Sequence, residues 1–281
     1  MIVAIIIATV GACIFFSVTN NQELIKRLIP LLIITIAFGM IGFIDDFKKL
    51  VLKNTDGLKP KYKMLGLLII AVIYVLFLVY GFNLGTDTYI PIFKIYINIP
   101  VFLYIPLAVL VILSTTNAIN LTDGVDGLAS SVSCLIITCL TVIGISNQMY
   151  EVSIFGSIVI GATLGFLIFN LHPAKVFMGD TGSLMLGGVI SSIALYLKMP
   201  LLLVVIAIIP VLEALSDIIQ VMYYKKTGKS IQNGTIAPSF ELSGWKENKI
   251  VVVFSLITLI ACAVGLKNNI IQKVKNSLGG F

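Results

Sequence analysis

The chain has little charge. Of its 281 residues only 11% are Asp, Glu, Lys or Arg, with one histidine and one tryptophan. A soluble domain typically carries about 25% charged residues, so a soluble core-and-shell protein is excluded. The four cysteines, Cys13, Cys134, Cys139 and Cys262, all fall inside apolar runs without metal-binding spacing. That excludes a disulfide framework and a cysteine zinc site, and leaves them as small core residues. A single histidine, His172, offers no histidine pair for a metal, and before Pro173 it reads as structural. The first apolar run lacks the basic leader and small-residue cleavage site of a secretory signal, so it reads as a retained helix.

Apolar residues are abundant instead: 58% of the chain, with a mean hydropathy of +1.08. This is the composition of an integral membrane protein. Runs near Ile2–Val18, Leu28–Ile44, Met64–Gly81, Val101–Ala118, Leu128–Ser146, Val152–Asn170, Ser183–Leu197, Leu201–Met222 and Ile250–Leu266 each approach the roughly 20 residues of a membrane span. The reading is an all-α polytopic helical bundle of about nine transmembrane helices, one transmembrane domain over residues 1–281. Between the third and fourth runs, YIPIFKIYINI alternates loosely and is rich in β-branched and aromatic residues, which predicts a short outer β-hairpin.

The net charge of +6 is spread among loops, which argues for topology and against a nucleic-acid partner. Alternate loops lie on opposite sides, and Lys48, Lys49, Lys59, Lys61, Lys63, Lys175, Lys225 and Lys246 belong to the lysine-rich set, which is therefore cytoplasmic. The same parity places Asp45, Asp46, Asp123, Asp126 and Asp180 at cytoplasmic helix ends, although nothing in the charge count selected them.

Three polar patches follow from this. In GFIDDFKKL, Asp45 and Asp46 point about 100° apart if helical, so one reaches a cavity and the other orients a neighbour. Two close carboxylates raise one another's proton affinity, which suits a general base, with Lys48 and Lys49 moderating the effect; surface charges at a helix end are the plainer alternative. In NAINLTDGVDGLA, Asn117, Asn120, Asp123 and Asp126 exceed what capping one helix requires. In NLHPAKVFMGDTGSLMLGG, Asp180 sits between Gly179 and Gly182 at the start of an apolar run, where a helix N-terminus and a carboxylate-bound divalent cation would share one anion. A polar turn capped by Asp180 is the alternative. Glu213, inside the eighth run, faces the bundle interior or a polar cavity. The basic loop Asp56–Lys63 and the long polar loop Tyr223–Lys249 read as headgroup- or substrate-facing segments, or as plain connectors.

GFIDDFKK, NLTDGVDGLA, PAKVFMGDTGSLMLGG and FELSGWKENK, in this order and over nearly the whole chain, resemble the hallmark segments of the phospho-N-acetylmuramoyl-pentapeptide transferase family, within the polyprenyl-phosphate N-acetylhexosamine-1-phosphate transferases. The resemblance implies a Mg2+-dependent transfer of phospho-N-acetylmuramoyl-pentapeptide from UDP-N-acetylmuramoyl-pentapeptide to undecaprenyl phosphate, releasing UMP and forming the first lipid-linked peptidoglycan precursor. It implies a multi-pass protein of the bacterial inner membrane, in contact with membrane lipid, its active site on the cytoplasmic face. It implies Asp180 as the metal ligand, Asp45 and Asp46 at the reacting phosphates with Asp45 as base, and Lys49 and Asn170 positioning them. Asp123, Asp126, Asn120 and Phe177 would form the substrate pocket, Phe177 stacking on uracil, with Lys61 or Lys63 meeting the diphosphate.

Two parts of the family pattern have no match. The family carries a further N-terminal helix and a Gly-Thr-Pro-Thr-Met-Gly-Gly loop, which the residues from Met1 onward do not reproduce, and a triple histidine where this chain reads Ala237-Pro238-Ser239. A non-catalytic relative that binds nucleotide or lipid therefore stays open, as do a transferase for another UDP-N-acetylhexosamine and a homodimeric assembly. A transporter is the third reading, disfavoured by acids clustered at one face instead of mid-membrane.

Overall fold

The structure is a computed structural model that describes residues 1–52, 57–228 and 234–278, with side chains described up to residue 267. Parts of both basic loops, including Lys53, Asp56 and Lys229, lie outside the described residues, as do the side chains of the tail beyond residue 267. Eleven helices follow one another: α1 (Ile2–Val18), α2 (Gln22–Leu50), α3 (Pro60–Leu76), α4 (Val101–Thr122), α5 (Leu128–Ser146), α6 (Tyr150–Asn170), α7 (Gly179–Tyr196), α8 (Leu203–Ile206), α9 (Ile208–Thr227), α10 (Ile236–Leu242) and α11 (Glu247–Leu278). A π-helical turn, Phe77–Gly81, extends α3. Strands β1 (Asp87–Ile90) and β2 (Ile95–Asn98) pair antiparallel with Asp87 opposite Asn98. The hairpin predicted from YIPIFKIYINI is thus present.

The protein is all-α and polytopic, but the count of nine spans is not confirmed. Among the described residues, six helices are long and apolar enough to cross a bilayer, or seven if α8 and α9, bent by 86° at Ala207, form one broken span. Helix α1 is short at 17 residues. Helix α7 is excluded by composition, since its first turns carry Asp180, Thr181, Gly182 and Ser183.

That polarity is tolerated because α7 is the sheathed centre of the bundle. Every residue from Gly182 to Tyr196 is buried, and α7 packs against α2, α4 and α5. Small residues allow the close approach: a Cβ on Gly42 of α2 would collide with the Asp180 backbone, and one on Gly187 would collide with the Thr116 backbone of α4. The apolar faces of α2, α3 and α11 instead point outward, as lipid-facing surfaces do, with Ile33, Ile73 and Ile260 more than half exposed.

Candidate active site

Helix α2 runs without a break through FIDDFKK, so Asp45 and Asp46 leave it in different directions, as the helical angle requires. Asp46 turns to the N-terminus of α7. Its Oδ1 accepts from the Asp180 amide at 3.2 Å, and its Oδ2 from the Thr181 amide at 2.8 Å and the Thr181 hydroxyl at 2.6 Å. Two amides of the first turn of α7 are thereby satisfied by a carboxylate from another helix, which also meets the positive end of the helix dipole. Gly179 is required at the entry: its φ is +63°, and a Cβ there would lie 2.8 Å from Asp46 Oδ2.

Asp45 turns the other way and is buried, with 2% of its surface exposed. Its Oδ1 accepts from the Leu58 amide at 2.6 Å, while Oδ2 lies 2.6 Å from Lys49 Nζ and 3.7 Å from Lys63 Nζ. The same two ammonium groups reach Asp180 Oδ2, Lys49 at 3.1 Å and Lys63 at 2.8 Å. Asn120 Nδ2 donates to Asp180 Oδ1 at 2.6 Å and to Ser183 Oγ at 2.8 Å. Burial works against ionisation of Asp180, but hydrogen bonding within the Asp45–Asp180 pair, to Lys63 and to Asn120 outweighs it and holds the pKa below the ordinary carboxylate range.

Beside this cluster opens a cavity of about 420 Å³ lined by Asp123, Asp126, Asn170, Phe177, Gly179 and Glu247 among others. Asn170, 2% exposed, is fixed at its base by the Ser130 hydroxyl at 2.5 Å and by donating to the Val176 carbonyl at 3.0 Å. Phe177 stands 76% exposed at the rim, a flat apolar face with no packing duty. Asp123, just beyond the end of α4, has its pKa pushed up to about 7, first by burial and then by the charges of Asp180, Asp46 and Asp126. Pro238, from the segment without histidines, packs here: a Cβ on Gly124 would meet its ring at 3.1 Å.

The expected residues therefore form two adjoining groups. Asp45, Lys49, Lys63, Asn120 and Asp180 gather in one, and Asp123, Asp126, Asn170 and Phe177 in the other. Asn120 joins the first group, not the pocket, and Lys61, exposed on the first turn of α3, contributes none of these contacts. The reading of His172 as a lone structural residue missed its partners. Its Nδ1 lies 3.3 Å from Asp126 Oδ2 and 3.0 Å from Glu247 Oε1, and the three ligand atoms fall within 4.8 Å of one another. Glu213 is buried, and its carboxylate accepts from the Ile236 and Ala237 amides at 2.7 and 2.9 Å, fixing the start of α10 to α9.

The donor set around Asp180 fits a hard divalent cation. Two carboxylates, Asp45 and Asp180, converge on the same ammonium groups, and Lys49 and Lys63 now supply the positive charge between them.

Comparison with known proteins places the chain by sequence. Residues 28–198 match the family described as glycosyl transferase family 4. A phospho-N-acetylmuramoyl-pentapeptide-transferase of Clostridium botulinum (strain Eklund 17B / Type B) is 46% identical over 267 residues, 92% of this chain and 81% of the relative. Proteins of the same name from Acetivibrio thermocellus and Halalkalibacterium halodurans are 44% and 45% identical, covering 85% and 82% of this chain and 73% and 70% of theirs. With the Asp180 cluster and its adjoining cavity in place, the chain belongs to the phospho-N-acetylmuramoyl-pentapeptide-transferase family.

Proposed function

We propose that the protein transfers phospho-N-acetylmuramoyl-pentapeptide from its UDP carrier to undecaprenyl phosphate at the cytoplasmic face of the bacterial inner membrane. The observation that carries this reading is the shared Asp45–Asp180 pair with Lys49 and Lys63 beside a cavity rimmed by Phe177. In the reaction, an oxygen of the lipid phosphate bonds to the sugar-bearing β-phosphorus, and the bond from that phosphorus to the bridging oxygen breaks, so UMP leaves with that oxygen. Such a transfer asks the protein for positioning and charge neutralisation more than for covalent chemistry. Asp180, with Asp45 beside it, would hold Mg2+, which when bound neutralises charge on the diphosphate. Asp45 Oδ2 would take any proton remaining on the attacking phosphate. Lys49 and Lys63, which now satisfy the two carboxylates, would turn to phosphate oxygens. Asp46 would hold the start of α7, and Asp180 with it, in register. Phe177 would stack on uracil, and Asp123 and Asp126 would accept from its polar edge.

The test is release of UMP by the purified full chain given both substrates and Mg2+. Release that needs both substrates and disappears in Asp180→Asn supports the reading; folded protein that releases none removes it. A second reading, a relative that binds nucleotide without transfer, is favoured by Ala237-Pro238-Ser239, whose Pro238 ring packs on Gly124. It expects uridine nucleotide binding by calorimetry with no UMP produced.

A further inference from the structure

Outside the Asp180 cluster, three turns that are distant in sequence meet at one imidazole. The α4–α5 turn brings Asp126, the α6–α7 turn brings His172, and the start of α11 brings Glu247. Each carboxylate is aimed by a backbone amide. The Ala174 amide donates to Asp126 Oδ2 at 3.0 Å, and the Asp126 amide donates to Glu247 Oε2 at 3.1 Å. So oriented, Asp126 Oδ2 and Glu247 Oε1 approach the same nitrogen, His172 Nδ1, at 3.3 and 3.0 Å. One ring nitrogen can direct a single N–H along one line, so it cannot serve two acceptors well. Two negative oxygens drawn to one lone-pair direction call for a cation between the three atoms.

We propose that Asp126, His172 and Glu247 form a second metal site, distinct from the one at Asp180, that takes a divalent cation of the zinc class. Bonds of about 2.0–2.2 Å from zinc to nitrogen and carboxylate oxygen set tetrahedral ligands roughly 3.3–3.5 Å apart, near the 3.3 and 3.0 Å from His172 Nδ1 to the two oxygens, while the oxygens themselves lie within 4.8 Å of each other. An imidazole ligand favours zinc over magnesium, which prefers an all-oxygen shell and keeps its water. The two amides that aim the carboxylates act as the outer-shell supports such a site needs. A bound ion would tie the start of α11 to the two turns that carry Asp126 and Phe177. It would thereby fix one wall of the 420 Å³ cavity. The Asp126 contacts with His172 and Ala174 both use Oδ2, so the ion would not claim the other oxygen.

The site is tested by binding, not turnover, so its failure and that of the transferase reading are separate results. Full-length protein in detergent, stripped with a chelator, is titrated with Zn2+ in the presence of excess Mg2+. One Zn2+ per chain is expected, with affinity at least roughly tenfold weaker in His172→Gln and Glu247→Gln and retained in Asp180→Asn. Zinc-edge X-ray absorption on the unaltered chain, which needs no variant to fold, should show one imidazole among oxygen ligands. Absence of stoichiometric binding, unchanged binding in His172→Gln, loss in Asp180→Asn, or a shell containing sulfur would each overturn the proposal.

Discussion

Helices α2 and α7 run antiparallel and are fastened at both ends, but by different chemistry. At one end the Tyr196 hydroxyl donates to the Arg27 carbonyl at 3.2 Å, and Arg27 itself pairs with Glu23 at 3.1 Å and with buried Glu151 at 3.3 Å. Nearby, Lys198 holds Asp87 of β1 at 2.6 Å. At the other end, about 27 Å along α2, Asp46 caps α7 while Lys49 and Lys63 divide themselves between Asp45 and Asp180. Every acid at the Arg27 end has a cationic partner. Among the described residues at the Asp180 end, neither Asp46 nor Asp123 has one. A fold selected only for stability would balance that charge. The surplus of carboxylates is what a site keeping room for a cationic ligand looks like, and the Arg27 end shows how the same helix pair is closed when no such room is kept.

The largest test of this contrast is Asp180→Asn, which should cut UMP release at least roughly a hundredfold and lower the melting temperature only modestly, since the carboxylate it removes also pairs with Lys49 and Lys63. Glu151→Gln, at the opposite end, should lower the melting temperature and leave turnover within about twofold, because it touches only a structural pair. Equal effects on turnover would break the comparison. Next in size, Asp46→Ala should lower stability by about 1–2 kcal/mol through loss of the cap. It should lower turnover as well, since Asp180 rides on the same turn, and Thr181→Ala should reproduce part of the stability loss. An Asp46→Ala protein that melts like the parent would show that the cap holds nothing.

Arg27→Gln leaves the carboxylate of buried Glu151 without its cation and should destabilise as well, less so at high salt because Arg27 itself is partly exposed. Thermal unfolding at low and high salt measures it. A pH-dependent effect belongs to Asp123. Its folded pKa of about 7 lies above the ordinary 3.8, so the folded protein keeps a proton that the unfolded chain releases between those values. Stability contributed by that proton is present at the acid end and falls as pH rises from 3.8 towards about 7. Asp123→Asn should flatten this slope and raise the melting temperature at pH 8. A slope that survives the substitution would assign the titration elsewhere.

Much of this was legible in the sequence because hydropathy and helical angle are local. The apolar runs became helices, YIPIFKIYINI became a hairpin, and the divergence of Asp45 and Asp46 followed from 100° per residue. What escaped depends on distant partners. Asp46 as a cap for α7 requires knowing that α2 and α7 cross at Gly42, and His172 looked solitary because Asp126 and Glu247 arrive from other turns. Glu247 heads α11 within the matched GWKE segment, the one signal that pointed there. The bend at Ala207 did leave a mark that the hydropathy of the run concealed: Pro210 has no N–H for the Ile206 carbonyl, so the helix breaks just before it and restarts with proline in its first turn. The count of nine spans is not confirmed because apolar runs were counted without the length and polarity of the helices they form: α1 has 17 residues and α7 begins with Asp180, Thr181, Gly182 and Ser183.

Helix α7 also bears on how the protein enters the bilayer. It is too polar to qualify as a span alone, yet it occupies the middle of the bundle. Its partitioning from the translocon must then be cooperative, with α2 and α4 supplying the surface that lipid would not. The carboxylate at the centre of the candidate active site therefore reaches its depth only in a chain whose neighbouring helices have already assembled, so a biogenesis defect in either neighbour would appear as loss of the site before loss of membrane insertion.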